Sequence, residues 1–376
     1  MKILHVVPTY VPAWRHGGPI RSVHGLCKAL AARGHEITVF TTDVDTDGAV
    51  PPSRAVRLDG VEVWYFPVSA PRRLYRSPAM GAALAERMGG FDLVHLHSVF
   101  LWPTSAAARA AERAGVPYLL APRGMLVADL LRRRGRWRKA LWIRFAERRT
   151  IARAAGLHVT SDLEAEEARR LGLPLPPVHV VANGIEPEPA PDGAAPLIPE
   201  PFLLFLGRVS WKKGLDRLIP ALSHVPGIDL AIAGNDEEDY RPKLERLAEE
   251  AGVAGRVRFL GPVHGEDKAA LLHRAAALVL PSYSENFGNS ALEALAAGRP
   301  VVVTPEVGLA EVVRETGAGL VVEGAPEILG PALRDLLSDP RRMDEMGRKG
   351  AEVVRQRFGW AAVAERMEAV YREVVG

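Results

Sequence analysis

"EPEPAPDGAAPLIPEP", running from Glu186 to Pro201, carries six prolines and no hydrophobic periodicity. Proline lacks a backbone donor and fixes φ, so neither a helix nor an interior strand runs through such a stretch. It reads as a linker, and it lies near the middle of a 376-residue chain. A chain this long exceeds one ordinary core, so two domains are expected.

On either side of the linker, short β-branched apolar runs alternate with amphipathic helical stretches. Before it come "KILHVV", "EITVFTT", "VEVWYF", "DLVHLH", "PYLLAP", "GLHVTS" and "VHVVA"; after it come "FLLFLG", "DLAIAG", "VRFLG", "LVLPS", "PVVVTP" and "GLVVE". Helices sit between them. One spans Pro19 to Arg33, with proline in its first turn and Gly34 as its stop. Another opens at Ser161 with a capping box to Glu164 and closes at Gly172. The alternation predicts an α/β fold of two doubly wound domains, each a parallel sheet with helices on both faces. Such sheets bind ligands at the carboxyl ends of their strands, so a cleft shared by the two domains is the expected active site. The expected boundaries are 1–186, the linker 187–201, 202–357 and a terminal helix over 358–376. That helix carries Val363, Met367, Val370, Tyr371 and Val374 at helical spacing, a stripe that reads as packing.

Composition excludes several classes. The net charge is +3, which gives no reason to invoke nucleic acid. Cys27 is the single cysteine, so there is neither a disulfide framework nor a cysteine-based zinc site. The start, "MKILHVVPTY", has too short an apolar run for a secretory signal, and no segment is apolar for long enough to span a bilayer. A cytoplasmic location is the expectation.

Three elements could carry chemistry. In "SYSENFGNSALEALAAGRPVVV", Glu285 projects from a loop after a buried strand and Glu293 lies eight positions on, inside the following helix. A helix N-terminus offers unpaired N–H groups and partial positive charge to an anion. The plainer readings are a solvated loop carboxylate for Glu285 and a capping box from Ser290 to Glu293. In "LGRVSWKKGLDRLIPAL", Arg208 follows a strand and Lys213 precedes a helix, two cations suited to a diphosphate, while Lys212 reads as solvated. In "PTYVPAWRHGGPIRSV", Gly17 and Gly18 precede a helix start, where backbone can approach an anionic ligand. This is not a G-x-G-x-x-G fingerprint, and a dehydrogenase is disfavoured.

These elements, in this order on a double-sheet frame, resemble the retaining nucleotide-sugar glycosyltransferases of family 4, which have the GT-B fold of two Rossmann-like domains. The likeness spans nearly the whole chain, through "GGPIRSVHGLCKALAARGHEITVFTT", "VVANGIE", "GRVSWKKG", the E-x7-E stretch and "RFGWAAVAERMEAVYREV". It implies that the last helix crosses back to the first domain. It also implies roles. Glu285 would hold hydroxyls of the donor sugar, with Asn286, Phe287, Gly288 and Asn289 around the donor. Glu293 would hold the ribose, and Arg208 and Lys213 would neutralise the leaving diphosphate. Gly17 and Gly18 would let the first domain close on that diphosphate. The donor is then a UDP- or GDP-linked hexose, the acceptor a glycan or lipid-linked saccharide, and neither cofactor nor metal is needed. Where many relatives carry histidine in a P-H-G context, "APRGML" has Arg123, which can bind phosphate or acceptor groups but is no base near neutral pH. His97, after "VHLH", is a second candidate at a strand end. Two other functions share the frame, a sugar-nucleotide epimerase or phosphorylase and a non-catalytic sugar- or polyanion-binding module.

Two further stretches carry clustered charge. "DVDTDG" (Asp43 to Gly48) looks like a metal loop, but the twelfth position of an EF-hand would be Arg54, and a solvated loop is the better reading. "LRRRGRWRKALWIRFAERR" (Leu131 to Arg149) places Trp137, Leu141 and Phe145 on one helical face among arginines. Such a helix can lie on an anionic membrane, bringing the enzyme to a lipid-linked acceptor, or can simply dock on the first domain.

Overall fold

All thirteen of these runs become strands, gathered into two separate sheets. The computed structural model describes residues 1–13, 18–46, 54–70, 72–126, 147–191, 197–236 and 238–376. The first sheet contains β1 (Lys2–Val6), β2 (Glu36–Thr42), β3 (Ala55–Leu58), β4 (Val61–Phe66), β5 (Leu93–His97), β6 (Tyr118–Ala121), β7 (Gly156–Val159) and β8 (Val178–Val180). Their order is β3-β4-β2-β1-β5-β6-β7-β8, parallel throughout except for β3. The second contains β9 (Phe202–Leu206), β10 (Asp229–Ala233), β11 (Val257–Gly261), β12 (Ala277–Leu280), β13 (Val301–Val303) and β14 (Gly319–Val321). Its order, β11-β10-β9-β12-β13-β14, is the doubly wound arrangement, with strand order reversing between β9 and β12. In the first sheet the reversal falls between β1 and β5.

β3 is the strand that periodicity missed. It is short and antiparallel, and it pairs with β4 through Asp59 and Gly60, both with positive φ (47° and 82°). Asp-Gly between two strands is the signal of a two-residue hairpin turn, so the cue was present in "VRLDGVEVW".

The chain divides into one unit of residues 1–184 with 360–376 and another of residues 185–359. The terminal helix, Trp360–Val375, buries Val363, Met367, Val370 and Tyr371 in the first unit's core, against Val23, Leu26 and Leu30 of the Gly18–Ala32 helix. Gly25 makes this approach possible, since a Cβ there would stand 2.2 Å from the Trp360 ring. Arg33 then ties the helix down by an ion pair to Glu368 at 2.6 Å. The described part of the proline-rich stretch belongs to the second unit: Ile198 is buried, and the Glu188 carbonyl accepts from His273 Nε2 at 3.0 Å. It is packed chain as well as connection.

Candidate active site

The second unit's sheet reverses order between β9 and β12, and the chain leaving each of these strands carries charge. After β9 come Arg208, Lys212 and Lys213; after β12 comes Glu285. Lys213 Nζ donates to Glu285 Oε2 in a close ion pair, with both side chains mostly shielded. Gly214 makes the turn that brings Lys213 there. Its φ is 67°, and a Cβ would stand 1.9 Å from the Pro281 carbonyl oxygen at the end of β12. Only glycine fits that crossing.

Glu285 is fixed by its own backbone. Its N–H donates to the Glu306 carbonyl at 3.0 Å and its carbonyl accepts from Gly308 N–H at 2.8 Å, locking the loop to the segment after β13. Gly288 follows with φ 99° and serves as the N-cap of the Asn289–Ala296 helix, with no side-chain cap. The helix therefore begins one residue before Ser290, and the capping box expected from Ser290 to Glu293 does not form. Glu293 is bonded elsewhere: Lys268 Nζ donates to its Oε1 at 2.8 Å, and Glu188 Oε1 lies 3.7 Å from the same ammonium. Lysine is rarely this buried unless paired, and Lys268 has its partner in Glu293.

Positive charge accumulates around Arg208. Partial burial lowers the Lys212 pKa, and the neighbouring Arg208 and Lys213 cations lower it further. Lys212 is thus part of the cationic cluster rather than a freely solvated residue. The Phe287 side chain is buried beside Phe358, with ring centroids 6.1 Å apart, so Phe287 offers a ligand its backbone. Glu306, absent from the sequence reading, keeps a buried carboxylate oxygen without a hydrogen-bond partner. Lys268 was missed because a lysine on an amphipathic helix ordinarily reads as surface.

The first unit's strand ends are built differently. His5 (β1), His95 and His97 (β5) and His158 (β7) form a buried stack, with the His95 and His97 rings 4.2 Å apart. Hydrogen bonds assign every proton. His158 Nε2–H donates to the Val181 carbonyl at 2.9 Å, so its Nδ1 accepts from His95 Nε2–H at 3.2 Å. His95 Nδ1 in turn accepts the Tyr371 hydroxyl at 2.7 Å. Arg123 can only donate, so His97 Nδ1 accepts from its Nε (3.3 Å) and Nη2 (3.2 Å). His97 Nε2–H then donates to His5 Nδ1 at 3.0 Å, leaving the buried His5 Nε2–H without an acceptor. Burial first, and the Arg123 cation second, hold the His5 and His158 pKa values down to about 3. Burial also holds His95 and His97 well below the ordinary value.

This network redefines His97. Both its nitrogens are engaged and it is buried, so it aims Arg123 instead of presenting a base. Although His5, His95 and His97 lie close enough together to suggest a metal site, the lone pair of each neutral ring is already accepting a hydrogen bond. Gly18 is the first residue of its helix, and Gly17 lies outside the described residues. Ser161 caps its helix by accepting from Glu164 N–H at 3.1 Å, and the Glu164 carboxylate also binds Thr160 and Gly124. Asp43 uses Oδ1 on Val68 N–H at 3.1 Å, a loop-fixing contact, while Asp47 and Gly48 are outside the described residues. Residues 131–146 of the arginine-rich stretch are also outside them. Among the described residues no helix is long and apolar enough to cross a membrane.

Comparison with known proteins agrees with this architecture. Residues 195–353 match the family model for glycosyl transferases group 1, and residues 17–184 match that for a glycosyl transferase 4-like domain. The D-inositol 3-phosphate glycosyltransferase of Xylanimonas cellulosilytica is 31% identical, over 99% of this chain and 96% of that protein. Among solved structures, sucrose-phosphate synthase from Thermosynechococcus elongatus superimposes with a TM-score of 0.77 at 24% identity, covering 99% of this chain and 98% of that one. Anabaena HepE in complex with UDP-glucose gives 0.76 at 19% identity, covering 99% and 100%. The chain belongs to the group 1 glycosyltransferases and has their GT-B fold.

Proposed function

We propose that the chain moves a hexosyl unit from a UDP- or GDP-linked sugar to a hydroxyl of a glycan or lipid-linked saccharide, with retention of anomeric configuration and without a metal ion. The carrying observation is the Lys213–Glu285 ion pair at the switch point of the second sheet, beside Arg208. Glu285 accepts hydrogen bonds from donor-sugar hydroxyls, and the backbone N–H groups from Asn286 to Gly288 donate to the same sugar. Glu293, held by Lys268 through Oε1, keeps its other oxygen for the ribose. An ammonium has three donors, so Lys213 can hold Glu285 and a phosphate oxygen together. With Arg208 it stabilises the charge that develops on the leaving diphosphate, the task a metal serves in other transferases. The sequence offers no obvious carboxylate nucleophile, so in this reading the departing phosphate oxygen takes the acceptor's proton on the same face of the sugar. The UDP-glucose bound by HepE makes uridine our first choice of base. The reaction belongs in the cytoplasm.

Calorimetric titration with UDP, GDP, ADP and NAD, repeated on a variant with Arg208 and Lys213 both changed to alanine, tests the reading. One diphosphate nucleoside should bind the native protein and be lost in the variant. Binding that survives moves the diphosphate elsewhere. Assignment of the product anomer by NMR tests the mechanism, and inversion overturns it.

A further inference from the structure

Arg123 and the histidines beneath it have no task in the transfer just described. We infer that Arg123 binds an anionic group, a carboxylate or phosphate carried by one of the two sugar substrates, at the carboxyl end of β6. That the anion belongs to a sugar substrate rests on the glycosyltransferase reading; the anion site itself does not.

The backbone supplies the first observation. Arg123 has φ 53°, in the left-handed region, and Gly124 follows at 74°. A bulky residue held there costs of order 1 kcal/mol and persists where surrounding structure imposes it. The second is aim. Nε and Nη2 converge on His97 Nδ1 at 3.3 and 3.2 Å, and Nη1 donates to Asn183 Oδ1 at 3.0 Å. His97 is itself fixed as an acceptor by its donation to His5. The guanidinium is therefore oriented by a buried chain of rings, not left to rotate.

The third observation is charge. Both acceptors are neutral, and among the described residues no carboxylate forms an ion pair with Arg123. Glu164 is the acid whose field reaches it. Its oxygens are already occupied, Oε1 by Gly124 N–H at 2.8 Å and Oε2 by the Thr160 N–H and hydroxyl at 2.7 and 2.8 Å. A guanidinium has five N–H groups, of which three make the contacts above, leaving two for a ligand. Arg123 keeps part of its surface exposed, although burial lowers the pKa of its guanidinium. A planar fork carrying a full charge among neutral rings matches the paired oxygens of a carboxylate or phosphate.

The test uses the full chain labelled with nitrogen-15 in histidine and saturated with UDP, so that the donor site is filled. The ring nitrogens of His97 report on Arg123 directly, and inorganic phosphate, then acetate, is titrated in at constant pH. A saturable His97 shift is expected in the native protein, weaker in Arg123→Lys, with half-saturation raised roughly tenfold or more in Arg123→Gln through loss of charge-assisted bonds. No saturable shift with either anion in the native protein overturns the proposal. So does an equal response in Arg123→Gln. Two arms locate the source: UDP-glucuronate compared with UDP-glucose for the donor, and glucose 6-phosphate compared with glucose under UDP for the acceptor. An anion-dependent His97 shift in either arm supports the site and names the substrate. Should UDP fail to bind by calorimetry, the donor-site reading falls, while the phosphate titration still decides Arg123.

Discussion

The two units use the same sheet position in opposite ways. In the second, the chain leaving β9 and β12 presents Arg208, Lys212, Lys213 and Glu285, charged groups that hold one another by an ion pair. In the first, the reversal between β1 and β5 is filled by buried histidines kept neutral by burial. Parallel strands open a crevice at a topological switch, and what fills it decides its use. Paired charge suits a substrate whose own charge changes during reaction. A neutral, hydrogen-bonded stack suits the holding of one cation, Arg123, in one orientation.

The largest expected effect breaks the second unit's side of the contrast. Changing Arg208 and Lys213 together to alanine should lower turnover about a thousand-fold or more, since stabilisation of developing charge is usually the largest catalytic contribution. Steady-state kinetics with the donor that binds will measure it, and a loss under tenfold would place the diphosphate elsewhere. Glu285→Gln keeps the shape but removes the charge on the ion pair and on the sugar contact. A loss of about 1–3 kcal/mol per such bond predicts turnover down roughly ten- to a hundred-fold. Unchanged turnover would remove Glu285 from the site.

Acid should break the first unit's side. His5 and His158 have folded pKa values near 3, below the ordinary 6.5, so the unfolded chain takes up their protons first as pH falls. Their contribution is complete above pH 6.5 and declines as the pH drops from there towards 3. Each such histidine adds about 1.4 kcal/mol per pH unit to the slope. Urea unfolding between pH 7.5 and 5 should show this loss, and it should shrink when His158 is replaced by glutamine. A flat pH dependence over that range would mean that the folded stack takes up protons as readily as the unfolded chain does.

How much of this was legible follows the same division. Strands, order of elements and the charged residues of the second unit announce themselves, because buried parallel strands are β-branched runs and functional charge sits at their ends. Lys268 and Glu306 stayed hidden, since nothing local distinguishes a lysine on an amphipathic helix that turns inward, or a glutamate in "TPEVG", from ordinary surface. The histidine stack was legible as separate residues only. His5, His97 and His158 come from three strands, and their pairing depends on which strands are neighbours. His97 therefore read as a candidate at a strand end, when its partner Arg123 is the group that it serves.

Lys268 offers the finest test of the contrast, because its charge is structural within the charged site. It donates to Glu293 Oε1 at 2.8 Å, closer than Glu188 at 3.7 Å, and is nearly buried, so its expected effect on the donor passes through Glu293. Lys268→Met removes the donor while keeping the stem, leaving Glu293 able to swing away from the ribose. The KM for the nucleotide-sugar should rise by about three- to tenfold, in keeping with one lost hydrogen bond, with kcat little changed. A merely structural lysine would raise KM for every donor alike. A positioning lysine should weaken the preference for a ribose donor over its 2′-deoxy counterpart, and Lys268→Arg should restore part of it. If that preference survives in Lys268→Met, the ribose is held by something other than the Lys268–Glu293 pair.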